Sequence, residues 1–304
     1  MTRELVLVHG RSQEHKDSIA LKREWLDALR EGLGRSGLQL PIAEDRVRFP
    51  YYGDTLFGLV ANLPADQVAE VIVRGNQQDP QLRAFIADVL DEVATAKGIT
   101  DEQIEGQALG ALRVRGGPEV LERGVQNWGW VQGILSALDT YVPGASGASI
   151  AIATTDVYRY LTNATIRDKL EAGVRQAMTP NVESIVVSHS LGTVVAYNLL
   201  RRDSAARGWR VPLLITLGSP LAVKKIRTSL APNKHPECVQ RWFNAMDPDD
   251  VVSLYPLDRR HFPLDPEIEN KTDVDNDTEN QHGISGYLKD KEVAKRIHDA
   301  LTAP

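Results

Sequence analysis

Apolar positions fall into two rhythms along this chain. Leu5 to Val8 is an unbroken apolar run closed by His9-Gly10, and Ser184 to Ser188 repeats the pattern before Ser190. Runs of that length suit strands buried on both faces of a parallel sheet. Leu21, Trp25, Leu29 and Leu33 instead recur every four residues, with Lys22, Arg23, Asp27 and Arg30 between them and Gly34 and Gly37 at the far end. This spacing predicts an amphipathic helix with a stop. Arg46 to Tyr52 alternates before Gly53-Asp54 and predicts a second strand.

From about Thr55 to Ala148 the rhythm changes. Val68, Val71 and Ile72, then Phe85, Ile86, Val89, Leu90 and Val93, are spaced as in helices, whereas Gly106 to Gly117 reads as irregular. The stretch 55–148 is therefore expected to be a mostly helical insertion, with Trp128 and Trp130 packing beneath it and Gly144 to Gly147 as a flexible joint. Alternation is expected to resume beyond the joint, with Thr165-Ile166-Arg167-Asp168 as a capping box for a helix carrying Leu170, Val174 and Ala177. Strands Val211 to Leu217 and Val239 to Ala245 follow, and Val293, Ile297 and Leu301 mark a last helix from about Asp290. The alternation predicts an α/β fold in which residues 1–304 form a single domain containing that insertion.

Composition narrows the classes. A hydrophobic share of 42% with 25% charged residues is that of a globular chain, and a formal charge of -6 without a basic block argues against a nucleic-acid partner. The apolar residues before His9 are too few for a secretory segment, and no run of about 18 apolar residues occurs, so no transmembrane segment is expected. The lone Cys238 excludes an internal disulfide and the multi-Cys zinc patterns, which fits a soluble protein of the reducing cytoplasm. Asp273, Asp275 and Asp277 hint at a calcium loop, but Thr278 and Ile284 stand where Gly and Glu are required. With no phosphate loop, dinucleotide fingerprint or His-Glu-x-x-His motif, neither a cofactor nor a metal is expected.

Candidate chemistry concentrates at Ser188-His189-Ser190-Leu191-Gly192. Small residues two before and two after a central Ser are what a sharp strand-to-helix turn needs, because the hydroxyl stands at the apex of a strained backbone. A plain helix N-cap is the competing explanation of Ser190. Serine becomes a useful nucleophile only when a base takes its proton and an acid holds that base. His282 and His261 compete as the base, and Asp247, Asp249 and Asp250 all follow one strand as possible acids. The order Ser, then Asp, then His before the last helix favours His282 over His261, which falls too soon after the acid strand.

His9-Gly10, Ser188 to Gly192, Thr216-Leu217-Gly218-Ser219-Pro220-Leu221, the Asn244 to Val252 segment, and His282-Gly283 shortly before Gly286-Tyr287-Leu288 occur in that order. In these motifs the chain resembles the α/β-hydrolase superfamily, in particular its lipase and esterase branch, over about residues 3–52 and 156–301. Ser188 departs from the family pattern by standing in the first Gly place. The resemblance implies an α/β-hydrolase fold in which the insertion is a cap, and a Ser-Asp-His triad of Ser190, Asp250 and His282. It prefers Asp250 to Asp247 because Asp250 stands directly before Val251-Val252 and a turn ending at Pro256. It also implies an oxyanion hole of the Leu191 and Arg11 backbone N–H groups. The implied function is hydrolysis of a small-molecule or lipid-like carboxylic ester through an acyl-enzyme. A thioesterase, amidase, acyltransferase or non-catalytic binding protein could use the same framework. Oligomeric state is left open.

Overall fold

The computed structural model describes residues 3–10, 18–52, 79–114, 124 and 127–304. They form a mixed α/β protein with one all-parallel sheet of six strands in the order β2-β1-β3-β4-β5-β6. The strands are β1 (Glu4–Val8), β2 (Val47–Arg48), β3 (Glu183–His189), β4 (Arg210–Leu217), β5 (Trp242–Ala245) and β6 (Glu269–Lys271).

The helices are α1 (Ser18–Gly34), α2 (Pro80–Ala96), α3 (Asp101–Val114), α4 (Trp128–Tyr141), α5 (Gly147–Thr162), α6 (Ala164–Ala177), α7 (Leu191–Arg207), α8 (Lys224–Ser229), α9 (Ile284–Lys289) and α10 (Lys291–Thr302). Because successive strand side chains point to opposite faces, the apolar runs divide into two cores. Leu5, Leu7, Ile185, Val187, Leu213 and Ile215 pack with α1, α9 and α10. Val6, Val8, Val186 and Leu214 pack with helices α2 and α4 to α7.

β1, α1, β3 and the last helix behave as their patterns predict, and several other segments do not. Only Val47–Arg48 of the expected strand at 46–52 pairs with β1. Pro50 has no N–H for a ladder, and Phe49, Tyr51 and Tyr52 instead gather round the His9 ring. Val68, Val71, Ile72 and residues 115–117 lie outside the described residues, but 106–114 are helical rather than irregular. Gly106 and Gly110 face open space, while Ile104 and Ala108 meet α4 where Gly133 leaves room; a Cβ there would sit 2.7 Å from the Ile104 carbonyl oxygen.

Alternation does not resume at the Gly144 to Gly147 joint, since α5 and α6 both precede β3. The cap of α6 is Asn163, whose side chain accepts from the Ile166 N–H at 3.1 Å, and not the Thr165 box. Asn is among the strongest N-cap residues, so it takes the boundary ahead of Thr. In the predicted strand 239–245 only Trp242–Ala245 is regular, with Val239 forming an isolated bridge to Val211. Trp130 is buried in the core, and Trp128 lies under the Arg83 guanidinium at 4.6 Å.

The carboxyl ends of β3, β4 and β5 open on one side, which is where parallel α/β sheets gather functional residues. α7 is held there from both ends. Thr193 Oγ1 lies 2.8 Å from Ser219 Oγ after β4, and the buried Glu171 of α6 accepts from Arg202 and Arg175. Among the described residues no helix is long and apolar enough to cross a membrane.

Candidate active site

Ser190 follows β3 and precedes α7 with φ +54 and ψ -130. A non-glycine residue in that region costs on the order of 1–3 kcal/mol and persists only where its surroundings impose it. The surroundings are tight. A Cβ on Gly192 would lie 2.4 Å from the Val8 carbonyl oxygen, and one on Gly10 would lie 2.6 Å from Ser190 Cβ. Ser188, in the other small position, fits because its hydroxyl donates to the Ile215 carbonyl at 3.1 Å. Although Ser190 occupies the N-cap position of α7, its side chain makes no capping bond.

The Ser190 hydroxyl points instead at His282. Its Oγ is 2.9 Å from His282 Nε2, and His282 Nδ1 is 2.7 Å from Asp250 Oδ2. A carboxylate can only accept, so Nδ1 carries the proton and the Nε2 lone pair faces the hydroxyl. Asp250 is fully buried. Its Oδ1 accepts the Val252 and Ser253 N–H groups at 2.8 and 3.3 Å, and its Oδ2 also accepts the Tyr287 hydroxyl at 2.6 Å. Burial pushes the Asp250 carboxyl up, but the electrostatic attraction of the His282 ring and the hydrogen bonds from His282, Tyr287 and Val252 outweigh it and hold the group below its ordinary value.

The rival residues have other partners. Asp247 Oδ1 accepts the Asp249 N–H and Oδ2 the Asn276 N–H, both at 2.7 Å, which makes it the brace between the β5 loop and the loop that carries His282. Burial pushes its carboxyl up, helped by the charges of Asp249 and Asp250. Asp249 is exposed. His261 bonds Asp258 at 2.9 Å and stacks on Tyr255 at 4.5 Å. Leu191 is the first residue of α7, so its N–H belongs to the first-turn donors that lack helical acceptors. Arg11 lies outside the described residues.

Three neighbours carry no role in the sequence reading. Tyr287 joins Asp250 to the Asp247 N–H, which donates to its hydroxyl at 3.2 Å. Its place in Gly286-Tyr287-Leu288 just behind His282 is the only trace in the sequence. His189 lies between the two serines and donates from Nε2 to the His282 carbonyl at 2.8 Å. Burial drives its ring down to about 3, so it is neutral. His9 accepts the Tyr52 N–H at Nε2, at 3.1 Å, which leaves Nδ1 to donate to the Gly10 carbonyl at 2.8 Å. Burial takes it down to about 4.

A narrow apolar cavity opens at Ser190 under α2 and α5. Among the described residues no group of three His, Cys, Asp or Glu side chains is placed to hold a metal ion. Comparison of the chain with protein-family models, curated proteins and solved structures gives no match. The fold is that of a mixed α/β protein with a single all-parallel sheet among the described residues. Any finer assignment must rest on the side chains at the ends of its strands.

Proposed function

We propose that the protein is a serine hydrolase of carboxylic esters, with an α/β-hydrolase type of fold and the helical section as its cap. One observation carries the reading: Ser190, strained and uncapped, donates into an unbroken chain of hydrogen bonds through His282 to the buried Asp250. A capping serine would not need that strain, and a surface histidine would not need a buried carboxylate.

In the proposed reaction, Ser190 Oγ bonds to the ester carbonyl carbon as its proton passes to His282 Nε2, and the carbonyl electron pair moves to oxygen. The Leu191 N–H is a donor for that oxyanion. Collapse of the intermediate breaks the bond to the alcohol oxygen, which leaves with the proton from Nε2. Water then adds to the acyl-enzyme by the same route, giving the carboxylic acid and free Ser190. Asp250 holds the Nδ1 proton, so that Nε2 is free to take a proton at each addition step and the imidazolium that then forms is stabilised.

The test is labelling by a fluorophosphonate probe and turnover of aryl esters by wild type and Ser190→Ala. Wild type is expected to label and turn over, and Ser190→Ala to lose the label and about four to six orders of magnitude in kcat. Equal behaviour of the two proteins refutes the reading.

A further inference from the structure

We infer that the cleft between α6 and α7 binds a phosphate monoester group, at a site separate from the candidate active site. This goes beyond the hydrolase reading and does not depend on it.

Three guanidinium groups line the cleft, Arg167 from α6 and Arg201 and Arg202 from α7, with Ser229 and Leu230 at the end of α8 beside them. Like charges gathered in this way repel unless something answers them, and the chain as a whole carries a formal charge of -6. Carboxylates answer only part of the charge. Asp168 is in the lining, and the buried Glu171 takes Arg202 on both oxygens, at 3.1 and 2.8 Å, but Glu171 also takes Arg175 at 2.6 Å. Among the described residues Arg167 and Arg201 bond to neutral oxygens alone. The cleft therefore holds an excess of positive charge.

The groups are also set in place. Arg201 donates from Nε and Nη2 to Asn198 Oδ1 at 3.2 and 2.9 Å and from Nη1 to the Pro232 carbonyl at 2.7 Å, while its guanidinium lies 5.2 Å from the centre of the Tyr197 ring. Asn198 is itself buried and donates to the Tyr160 hydroxyl at 2.9 Å. Arg167 is anchored at one point, the Leu161 carbonyl at 3.2 Å. A guanidinium carries five N–H donors, so donors remain on both Arg167 and Arg201. Groups ordered before binding lose less freedom when the ligand arrives.

The number of guanidinium groups selects the ligand. Each offers a planar fork that matches a pair of oxygens. A carboxylate has two oxygens and one charge, which a single fork satisfies. A phosphate monoester has three terminal oxygens and a charge of about -1.5 to -2 near neutrality, which suits three forks from two helices. Arg201 stands eleven residues beyond Ser190 along α7, about 16 Å at a rise of about 1.5 Å per residue. A phosphate held there is out of reach of the Ser190 hydroxyl.

The experiment titrates glycerol phosphate, and separately vesicles of phosphatidate in phosphatidylcholine, into wild type, Arg167→Gln, Arg201→Gln and Arg259→Gln by calorimetry at fixed ionic strength. Wild type should bind glycerol phosphate saturably. Loss of either cleft arginine should weaken binding about tenfold to a hundredfold, as loss of a charged hydrogen-bond partner does, whereas Arg259→Gln, at an exposed position paired with Glu267, should match wild type. Affinity should rise between about pH 5 and pH 7, because the monoester loses its second proton near pH 6 while guanidinium groups do not titrate. Binding of the vesicles alone, weakened in the same two variants, would make a lipid headgroup the source of the phosphate. Failure of both ligands to saturate wild type overturns the inference. So does wild-type affinity in Arg167→Gln, a variant that gives up one bond to a carbonyl and is expected to fold even if Arg201→Gln does not.

Discussion

Gly192→Ala tests whether the strain at Ser190 depends on the crossing of β1 and α7. A Cβ at this position would meet the carbonyl oxygens of Val8 and His9 at 2.4 and 2.5 Å, where real Cβ atoms essentially never come within 3.0 Å. Neither obstacle is a side chain able to swing aside. Both oxygens sit at the end of β1, which is laddered to β3 from Glu4 to Val8. The backbones must therefore separate by about 0.6 Å, the gap between 2.4 and 3.0 Å. Overpacking of this kind costs about 1–3 kcal/mol, and rigid backbone on both contacts puts this case at about 3. Ala in place of Gly in a helix returns about 1 kcal/mol, so steric strain wins and the net loss is about 2. Urea unfolding followed by circular dichroism should show a lower midpoint at unchanged slope. Because the displacement occurs one residue pair from Ser190, ester turnover should fall by roughly tenfold or more, given that 1 Å of misplacement can cost about a hundredfold. A midpoint at or above that of wild type, with unchanged turnover, would show that the crossing does not hold Ser190 in place.

Asp250→Asn should lose about three to four orders of magnitude in ester turnover, because the amide no longer selects the accepting tautomer of His282. Its acid unfolding should change as well. A carboxyl held below its ordinary value contributes stability that is present above about pH 4 and lost as pH falls through the folded value, so the variant should lose stability less steeply in that acid range. Asp247→Asn should leave turnover near wild type yet cost about 1–3 kcal/mol in urea unfolding, since only one of its two backbone N–H partners keeps an oxygen acceptor; a large rate loss in this variant alone would exchange the roles of the two acids. Tyr287→Phe removes a hydrogen bond to a charged group, worth about 1.5–3 kcal/mol, and should lower kcat with KM unchanged, because Tyr287 touches Asp250 and does not line the cavity. An unaltered kcat would reduce Tyr287 to a core residue.

Local chemistry made part of this architecture legible. β1 and β3 are apolar runs closed by His9-Gly10 and by Ser188-His189, and the φ of +54 at Ser190 is the kind of turn that Ser188 and Gly192 flank for steric reasons. Chain order favoured His282, while only the resemblance preferred Asp250 to Asp247; the fold brings these two residues, His282 and Asp250, within hydrogen-bonding distance across 32 positions. Legibility ended where partners are remote or a residue type has two uses. Gly106 and Gly110 look like breaks, yet they sit on the open side of α3, while the face that decides its fate is Ile104 and Ala108 against Gly133. Asn163 and Thr165 can both cap a helix, and only the backbone geometry chooses between them. β6, with the short polar sequence Glu269–Lys271, has no apolar pattern to announce it and is defined by its pairing with β5.

The histidines show why composition alone says little about such a site. His9, His189 and His282 lie close to Ser190, and the His189 and His282 rings are 4.7 Å apart. Any of the three would be taken as an acid–base group on its ordinary pKa near neutrality. Burial removes two of them from that role, since rings held down to about 4 and about 3 stay neutral through the physiological range. A neutral imidazole has one donor and one acceptor in fixed directions. His9 spends both on backbone groups, the Tyr52 N–H beyond β2 and the Gly10 carbonyl beyond β1. His189 gives its donor to the His282 carbonyl and leaves Nδ1 without a partner among the described residues. Leaving that nitrogen buried costs stability, and what the contact offers in exchange is a fixed backbone for the loop that presents His282 to Ser190. On the proposed reading the residue between the two serines is there for shape, and proton transfer is assigned to His282, which touches both Ser190 and a buried carboxylate.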